Sequence, residues 1–569
     1  MTRVAGLSLL ALAVLAAFAA PPALARPNVV LIMTDDQTLA ALRYMPQVNR
    51  LIGDSGTTFQ QVIATFPLCC PSRSTQLTGQ YAHNHGVLHN SGPFGGFKAL
   101  DHTNTLPVWL QQAGYRTMHV GRYLNGYEAR DGIPPGYSDW YTAPHSTAFN
   151  YAHWSVNENG TLHSYPDADR PDEYETDYFT RKAVELIDNA APSEQPFYLQ
   201  LWYVAPHRGG PTDPDDPPTV GTPSPAPRHH DMFAGVPMPR PPNFDEADMY
   251  DKPQVVGDRP RLSPEEIAGI EENWRQELET LQAVDEGVAQ IVGALDRSGE
   301  LKDTLVVFTS DNGFMHGEHR AQAEKVLLYE ESIRVPLLMR GPGIPRGQRD
   351  DRLVGNIDIA PTILDETDVA PGRVQDGISL LDMEADPDAF WGRDLLIENG
   401  RGANNVPSYR VIRTNRFVYA EHLSTGEYEL YDLLNDPYEL RSVDGFDKYA
   451  AVQADLAGRL HRLIHCAGAA CQMEPNLTLL VSSRGRPLGA GSCARGDLRV
   501  RVSGRDARRV ETADMTLGSR RIAKVSGPLI SERISRKRLR GGRRYNLRVV
   551  ANLRDGRRTT LDRRVRACR

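Results

Sequence analysis

Cys69-Cys70-Pro71-Ser72-Arg73-Ser74-Thr75-Gln76-Leu77-Thr78-Gly79 sets two adjacent thiols, a proline, a hydroxyl and an arginine ahead of a short run that ends in glycine. Read plainly, this is a structural thiol pair in a loop. Read chemically, it holds side chains on which a site could be built. The rest of the chain decides between the two by what it brings to this point.

Three segments point the same way. Val29-Val30-Leu31-Ile32-Met33 is a continuous apolar run, consistent with a strand buried on both faces of a parallel sheet, and it ends at Thr34-Asp35-Asp36. Phe197 to Val204 leads into Ala205-Pro206-His207, and Thr304 to Thr309 leads into Ser310-Asp311-Asn312-Gly313. In open α/β sheets, ligands bind outside the carboxyl ends of the strands. Three strands therefore each deliver polar residues where a site belongs.

Between them, Ser263 caps a helix, Pro264 opens it and Glu266 completes a capping box. Ile267, Ile270, Trp274, Leu278, Leu281, Val284, Val288, Ile291 and Leu295 recur at helical spacing, and Gly299 follows the end. That stripe is a core face. Residues 208–262, rich in Pro and Asp, read as an irregular excursion over the surface that shapes a cleft. Val335-Pro336-Leu337-Leu338-Met339 is a further buried strand, and a helix starts near Asn356-Ile357-Asp358. Short strands follow at Arg410 to Arg413, Phe417 to Glu421 and Glu427 to Leu430, then a helix from Val452 to Ile464. Beyond 475 the pattern alternates, as in Leu498-Arg499-Val500-Arg501-Val502, which predicts a small all-β module with basic residues facing solvent.

A chain of 569 residues is too long for one core and predicts two or three domains. Arg3 precedes an apolar run from Val4 to Ala20 and an Ala23-Leu24-Ala25 site, which reads as a secretory signal over 1–25. No other stretch approaches a membrane span. The expected location is secreted or periplasmic, and few disulfides suit it: Cys466 can pair locally with Cys471, and Cys493 with Cys568 would staple the C-terminal segment. The net charge of −8 hides an asymmetry. Residues 475–569 carry 26 Lys and Arg against 7 Asp and Glu, whereas the remainder holds the other 38 basic and 65 acidic residues. Such a surplus attracts polyanions through its summed charge; no nucleic-acid recognition motif accompanies it.

Cys-x-Pro-Ser-Arg followed by Leu-Thr-Gly, carried by Cys69, Pro71, Ser72, Arg73, Leu77, Thr78 and Gly79, resembles the signature of the type I sulfatases of the alkaline phosphatase superfamily. The resemblance covers roughly residues 27–470. It implies an α/β fold with a mixed, mostly parallel sheet flanked by helices, over 26–385, a small antiparallel C-terminal subdomain over 386–472, and leaves the Arg-rich β module over 475–569 as an addition. It further implies that Cys69 is oxidised to formylglycine by a formylglycine-generating enzyme. Once hydrated, that aldehyde offers one hydroxyl to attack sulfur and a second whose deprotonation expels sulfate. Asp35, Asp36, Asp311 and Asn312, with position 69, are the implied ligands of one Ca²⁺; their oxygens would equally take Mg²⁺. Arg73, His207 and Lys325 are the implied catalytic partners, with His207 and Lys325 binding sulfate oxygens and protonating the leaving oxygen.

One tripeptide departs from the family. Where Gly-Lys-Trp or Gly-Lys-Tyr is usual, this chain has Gly121-Arg122-Tyr123. Arginine keeps the charge but is larger, planar and no proton donor near neutrality. The string Arg122-Tyr123-Leu124-Asn125 is nearer the N-acetylglucosamine-6-sulfatase and heparan 6-O-sulfatase branch, as are Cys69-Cys70-Pro71, His83-Asn84-His85, Ile133-Pro134-Pro135-Gly136 and Asn356-Ile357-Asp358. Asn125 and His316, with His319, are then candidate substrate contacts at the rim. The expected activity is removal of sulfate from a sulfated sugar, with N-acetylglucosamine 6-sulfate as the candidate unit. Two alternatives use the same pocket: a phosphoester or phosphonate hydrolase, and a catalytically weak sulfated-glycan-binding protein.

Overall fold

Seven consecutive buried residues, Asn28–Thr34, form strand β1 of the computed structural model. The structure describes residues 26–166, 173–214, 216–381, 393–399, 408–472, 477–488, 493–504, 507–508, 510–527, 530–539, 541, 543–553 and 558–568. The expected signal segment 1–25 lies outside them. After β1 come β2 (Thr57–Ile63), β3 (Arg116–Arg122), β4 (Asp139–Ala143), β5 (Trp154–Glu158), β6 (Thr161–Tyr165), β7 (Phe197–Trp202), β8 (Thr304–Ser310), β9 (Leu337–Arg340) and β10 (Gln348–Gly355). They form one ten-stranded sheet in the order β10-β2-β9-β8-β1-β7-β3-β4-β5-β6. The five strands from β8 to β4 run parallel, while β9 is antiparallel to both of its neighbours. The sheet is therefore mixed and mostly parallel at its centre.

Helices cover both faces, which is why β1 is apolar without alternation. The helices are α1 (Cys69–Thr78), α2 (Leu106–Gln112), α3 (Glu175–Ala190), α4 (Pro264–Arg297) and α5 (Ile359–Glu366). Val30 and Ile32 pack toward α3 and α4, whereas Val29 and Leu31 pack toward α2 and α5. Burying the aliphatic side chains Val29 to Met33 contributes about 2 kcal/mol each, enough to fix a loop that then carries two acids. α4 begins as the sequence predicts: the Ser263 hydroxyl accepts from the Glu266 N–H at 3.2 Å, and the Glu266 carboxylate accepts from the Ser263 N–H at 2.7 Å. Among the described residues of 208–262 the one helix is a short turn at Gln254–Gly257 and there is no sheet strand. No helix among the described residues is long and apolar enough to cross a membrane.

A second, antiparallel sheet follows, formed in sequence by β11 (Leu395–Asn399), β12 (Tyr409–Arg413), β13 (Phe417–His422) and β14 (Tyr428–Asp432). Helix α6 (Ala450–Leu463) covers one face, through Leu456, Leu460 and Leu463. The other face packs on Leu327, Leu328, Tyr329 and Ile333, so this sheet braces the loop that carries Lys325. Disulfides join Cys466 to Cys471 and Cys493 to Cys568, and Cys69 and Cys70 are buried free thiols. The C-terminal residues form two further antiparallel sheets. One contains β15 (Thr478–Ser483), β16 (Arg486–Pro487), β17 (Leu498–Ser503) and β20 (Ser531–Ile534); the other contains β18 (Val510–Leu517), β19 (Arg520–Ser526), β21 (Arg544–Leu553) and β22 (Arg558–Arg566). Apolar residues of both, Val500, Val502, Met515 and Val549 among them, share one core.

Candidate active site

The carboxyl ends of four neighbouring parallel strands meet the start of α1. Asp35 and Asp36 follow β1, Asp311 and Asn312 follow β8, His207 follows β7, and Arg122 is the last residue of β3. Backbone bonds lock these loops together: the Asp35 N–H donates to Ala205 O at 3.2 Å and the Asp311 N–H to Thr34 O at 3.1 Å. Asp36 takes a left-handed backbone conformation, φ 69°, and its carboxylate meets Asn312 and Lys325. All ten residues of α1 are buried, and the side chains of Ser72, Arg73 and Thr75 bond to other segments rather than to water. Ser72 donates to Asp311 O, and Asn356 Nδ2 donates to Ser72 Oγ at 2.8 Å.

Arg73 binds the acids from below. Its Nε donates to Asp311 Oδ2 and its Nη2 to Asp35 Oδ2, each at 2.9 Å, while Nη1 donates to the carbonyls of Arg122 and Tyr123 at 2.6 and 2.9 Å. The guanidinium lies 5.2 Å from the centre of the Trp202 ring. Arg122 pairs with the same Asp35 and donates from Nη2 to Asn125 Oδ1 at 2.6 Å. Phe149 covers its outer face at 4.6 Å. Burial pulls Arg122 down to about 10, opposed by the negative charge of Asp311 and Glu175. Lys325 pairs with Asp36 and reaches Cys69 Sγ at 3.0 Å. Burial alone would lower this lysine, but the surrounding negative charge, led by Asp36, outweighs it and holds the ammonium above its ordinary value. His207 sets Nε2 3.7 Å from Asp36 Oδ2 and donates from Nδ1 to Arg208 O at 2.7 Å. Burial first, then Lys325 and Arg122, hold its ring well below the usual histidine range, so it is neutral.

Carboxylate oxygens of Asp35, Asp36 and Asp311 lie within 4.8 Å of one another, as do ligand atoms of Asp35, Cys69 and His207. Asn312 Nδ2 donates to Asp36 Oδ1 at 2.7 Å, yet Asn312 Oδ1 is buried with no hydrogen-bond partner among the described residues. An orphaned amide oxygen beside three carboxylates is a hard-oxygen donor set that fits Ca²⁺ or Mg²⁺. Charge agrees. Three carboxylates face three cations, Arg73, Arg122 and Lys325, so a divalent ion leaves a surplus of two positive charges for an anionic substrate.

Cys69 faces this cluster and Cys70 does not. Cys69 Sγ lies 3.7 Å from Asp35 Oδ1, and burial pushes its thiol up to about 12 although Lys325 opposes the shift. Cys70 donates its S–H to Asn125 Oδ1 at 3.2 Å and accepts from the Asn125 N–H at 3.1 Å. Asn125 thus bridges Arg122 to Cys70 from behind. His316 and His319 are both buried, and His316 lies in the wall of a cavity next to the site. His316 Nε2 bonds Asn273 Oδ1 at 2.7 Å on α4, and His319 Nδ1 bonds Glu246 Oε2 at 2.6 Å with its ring stacked on Tyr329. A loop rich in Gly, Glu and His gives no sequence sign that it will be folded under.

Sequence reasoning also missed Glu277, inside the α4 core stripe. Its Oε1 accepts from the Thr38 N–H at 2.8 Å and so anchors the loop after β1. Burial pushes this carboxyl up to about 8, against the Thr38 bonds that lower it. A carboxyl raised in the folded state stabilises the fold while it is protonated, and that contribution is lost as pH climbs from the unfolded value through about 8. Glu277→Gln keeps the Thr38 bond and removes the titration. Its urea stability is expected to change less than the parent's between about pH 5 and pH 8; parallel profiles would count against a protonated Glu277.

Beside the cluster a cavity of about 420 Å³ opens between Asp36, His207, Arg208, Arg259 and Lys325. A second, of about 340 Å³, adjoins it at Phe314 and is lined by Trp274, Met238 and Tyr438 with Glu318 and Glu331. A family model for the sulfatases matches residues 27–369, and one for the C-terminal part of N-sulphoglucosamine sulphohydrolase matches 317–465. The chain belongs to the sulfatase family. The match spans the site end to end, from β1 through Lys325 to α5. Goat (Capra hircus) N-acetylglucosamine-6-sulfatase is 31% identical over 496 residues, 79% of this chain and 85% of that protein. An arylsulfatase of Volvox carteri is 34% identical over 509 residues, 80% of this chain and 77% of its own. Among solved structures, BT4656 in complex with its substrate D-glucosamine-2-N,6-O-disulfate matches with a TM-score of 0.63 and 25% identity, covering 77% of this chain and 97% of that one. This sulfatase is an enzyme of sulfate ester hydrolysis.

Proposed function

We propose that this sulfatase removes the 6-O-sulfate from a glucosamine unit of a sulfated polysaccharide, using a formylglycine made from Cys69 and one Ca²⁺. The carrying observation is the convergence of Asp35, Asp36, Asp311 and the orphaned Asn312 oxygen on the side of Cys69 that Lys325 touches. When present, the aldehyde hydrate supplies a hydroxyl for attack on sulfur and a second one for release. The ion, when bound, supplies a Lewis acid for a sulfate oxygen. This chain's residues do the rest. Arg73 and Arg122 fix Asp35 in place. Lys325, held protonated, donates to a sulfate oxygen beside position 69. With its Nδ1–H on Arg208 O, neutral His207 presents a bare Nε2 to the pocket. The negative charge of a bound ester raises that nitrogen, so it gains a proton on binding and gives it to the departing oxygen.

The adjoining cavities give room for a second sugar unit, and the N-acetylglucosamine-6-sulfatase relative favours a 6-sulfated glucosamine in the first. Two disulfides and the apolar run before Ala25 support export to the periplasm or outside the cell, with a formylglycine-generating enzyme as a maturation partner. In this reading 26–385 is the catalytic unit, 386–472 its subdomain and 475–569 a separate module. The test compares kcat/KM on N-acetylglucosamine 6-sulfate, the 3-sulfated isomer, an aryl sulfate, an aryl phosphate and a phosphonate monoester. The 6-sulfate is expected to lead the 3-sulfate and both phosphorus esters by about 10²-fold. A phosphorus ester turned over faster than every sulfate would overturn the assignment.

A further inference from the structure

The Arg-rich sandwich carries its own anion cavity. Strands β15, β17 and β20 alternate strictly: Val481, Leu498, Val500 and Ile534 point into the core, while Arg499, Arg501 and Arg533 are exposed. The register sets Arg499 directly opposite Arg533 across β17 and β20. Like charges in that position destabilise a sheet, and nothing about the sandwich core requires them there. A third guanidinium joins them from the β15–β16 turn. Arg484 lies across Gly496, where an added Cβ would meet Arg484 Cγ at 3.0 Å and Nε at 3.3 Å, so the missing side chain is what lets the arginine lie there.

These three arginines, with Ser482, Gly485 and Asp497, line a cavity of about 550 Å³. Asp497 is the single acid among the described residues of its wall. It pairs with Arg533 at 2.7 Å and accepts from the Arg536 N–H at 2.6 Å, so it orients one guanidinium and leaves the cavity two positive charges in surplus. We infer that this cavity is a non-catalytic binding site for sulfate groups of a sulfated polysaccharide, which tethers the enzyme to the polymer it acts on. Neighbouring strands stand about 4.8 Å apart and alternate side chains about 7 Å, so guanidinium forks are offered to several sulfate oxygens at once. Single-stranded nucleic acid is the poorer fit, because among the described residues no aromatic side chain lines the cavity to stack a base. The inference shares with the proposed function only the sulfated class of ligand, and it does not depend on turnover.

The test uses the full chain carrying Cys69→Ser, so that the polymer stays intact, and measures affinity for heparin, for chemically desulfated heparin and for single-stranded DNA. The triple variant R484Q/R499Q/R533Q is compared with R520Q/R544Q/R564Q, which removes the same charge from exposed arginines of the other sheet. The cavity variant is expected to lose about tenfold in heparin affinity, the control less than threefold, and desulfated heparin to bind weakly throughout. In the parallel pair without Cys69→Ser, hydrolysis of a monosaccharide sulfate is expected to be unchanged. Equal losses in the two triple variants would overturn the site, reducing it to net charge. DNA bound as tightly as heparin would overturn the ligand class.

Discussion

Cys69→Ser is expected to lower sulfate release by at least about 10⁴-fold in kcat, with urea stability within about 1 kcal/mol of the parent. Cys70→Ser should leave activity within a few fold. The two thiols are adjacent in sequence but differ in what surrounds them. Cys70 exchanges bonds with Asn125 behind the site, whereas Cys69 faces Lys325 and Asp35. Burial pushes the Cys69 thiol up to about 12, so near neutrality burial favours the protonated thiol. Lys325, at 3.0 Å, does not reverse that preference. As encoded, position 69 is a poor nucleophile in an otherwise complete pocket, and this mismatch is the physical argument for oxidation of the residue. The mass of the position-69 peptide from protein of the native host checks it directly. Full turnover by protein with an unmodified thiol would sink the formylglycine assignment, and an active Cys69→Ser variant would sink the site itself.

What the sequence revealed follows from how each segment is buried. β1, β7 and β8 are covered on both faces by apolar layers, so their continuous apolar runs announce them and the acids at their ends. β17 is covered on one face, and alternation announces it equally well. β3 was not legible. Arg116-Thr117-Met118-His119-Val120-Gly121-Arg122 looks too polar for a central strand, yet His119 is wholly buried among Tyr123, Tyr137, Trp140 and Trp202, and burial pushes its ring down to about 3. Apart from Tyr123, those aromatic partners come from other segments. α1 escaped for a related reason: with its whole circumference buried, it has no apolar stripe to betray a helix. The placement of Arg122 against Asp35 and Asn125 could be expected only from a motif, since no periodicity in the chain marks a side chain at a strand's end.

Arg73→Met should destabilise the protein by about 3–5 kcal/mol in a chelator, the largest stability loss expected from any single change at the site. The methionine fills the volume beneath Trp202 and removes four bonds at once. Two of them hold Asp35 and Asp311, both wholly buried; the other two satisfy the carbonyls of Arg122 and Tyr123. Without the guanidinium, Asp311 loses its buried counter-charge, Asp35 keeps only Arg122, and the two carbonyls lose these donors. Calcium can answer only part of this. A divalent ion between Asp35, Asp36 and Asp311 restores positive charge but cannot donate a hydrogen bond to a carbonyl. Millimolar Ca²⁺ should therefore raise the urea midpoint of Arg73→Met more than that of the parent, narrowing the gap without closing it. Arg73→Lys should fall between the two, since one ammonium cannot span both acids. A variant as stable as the parent in chelator would mean that Asp35 and Asp311 do not depend on Arg73. A gap untouched by Ca²⁺ would mean that the three acids do not share an ion.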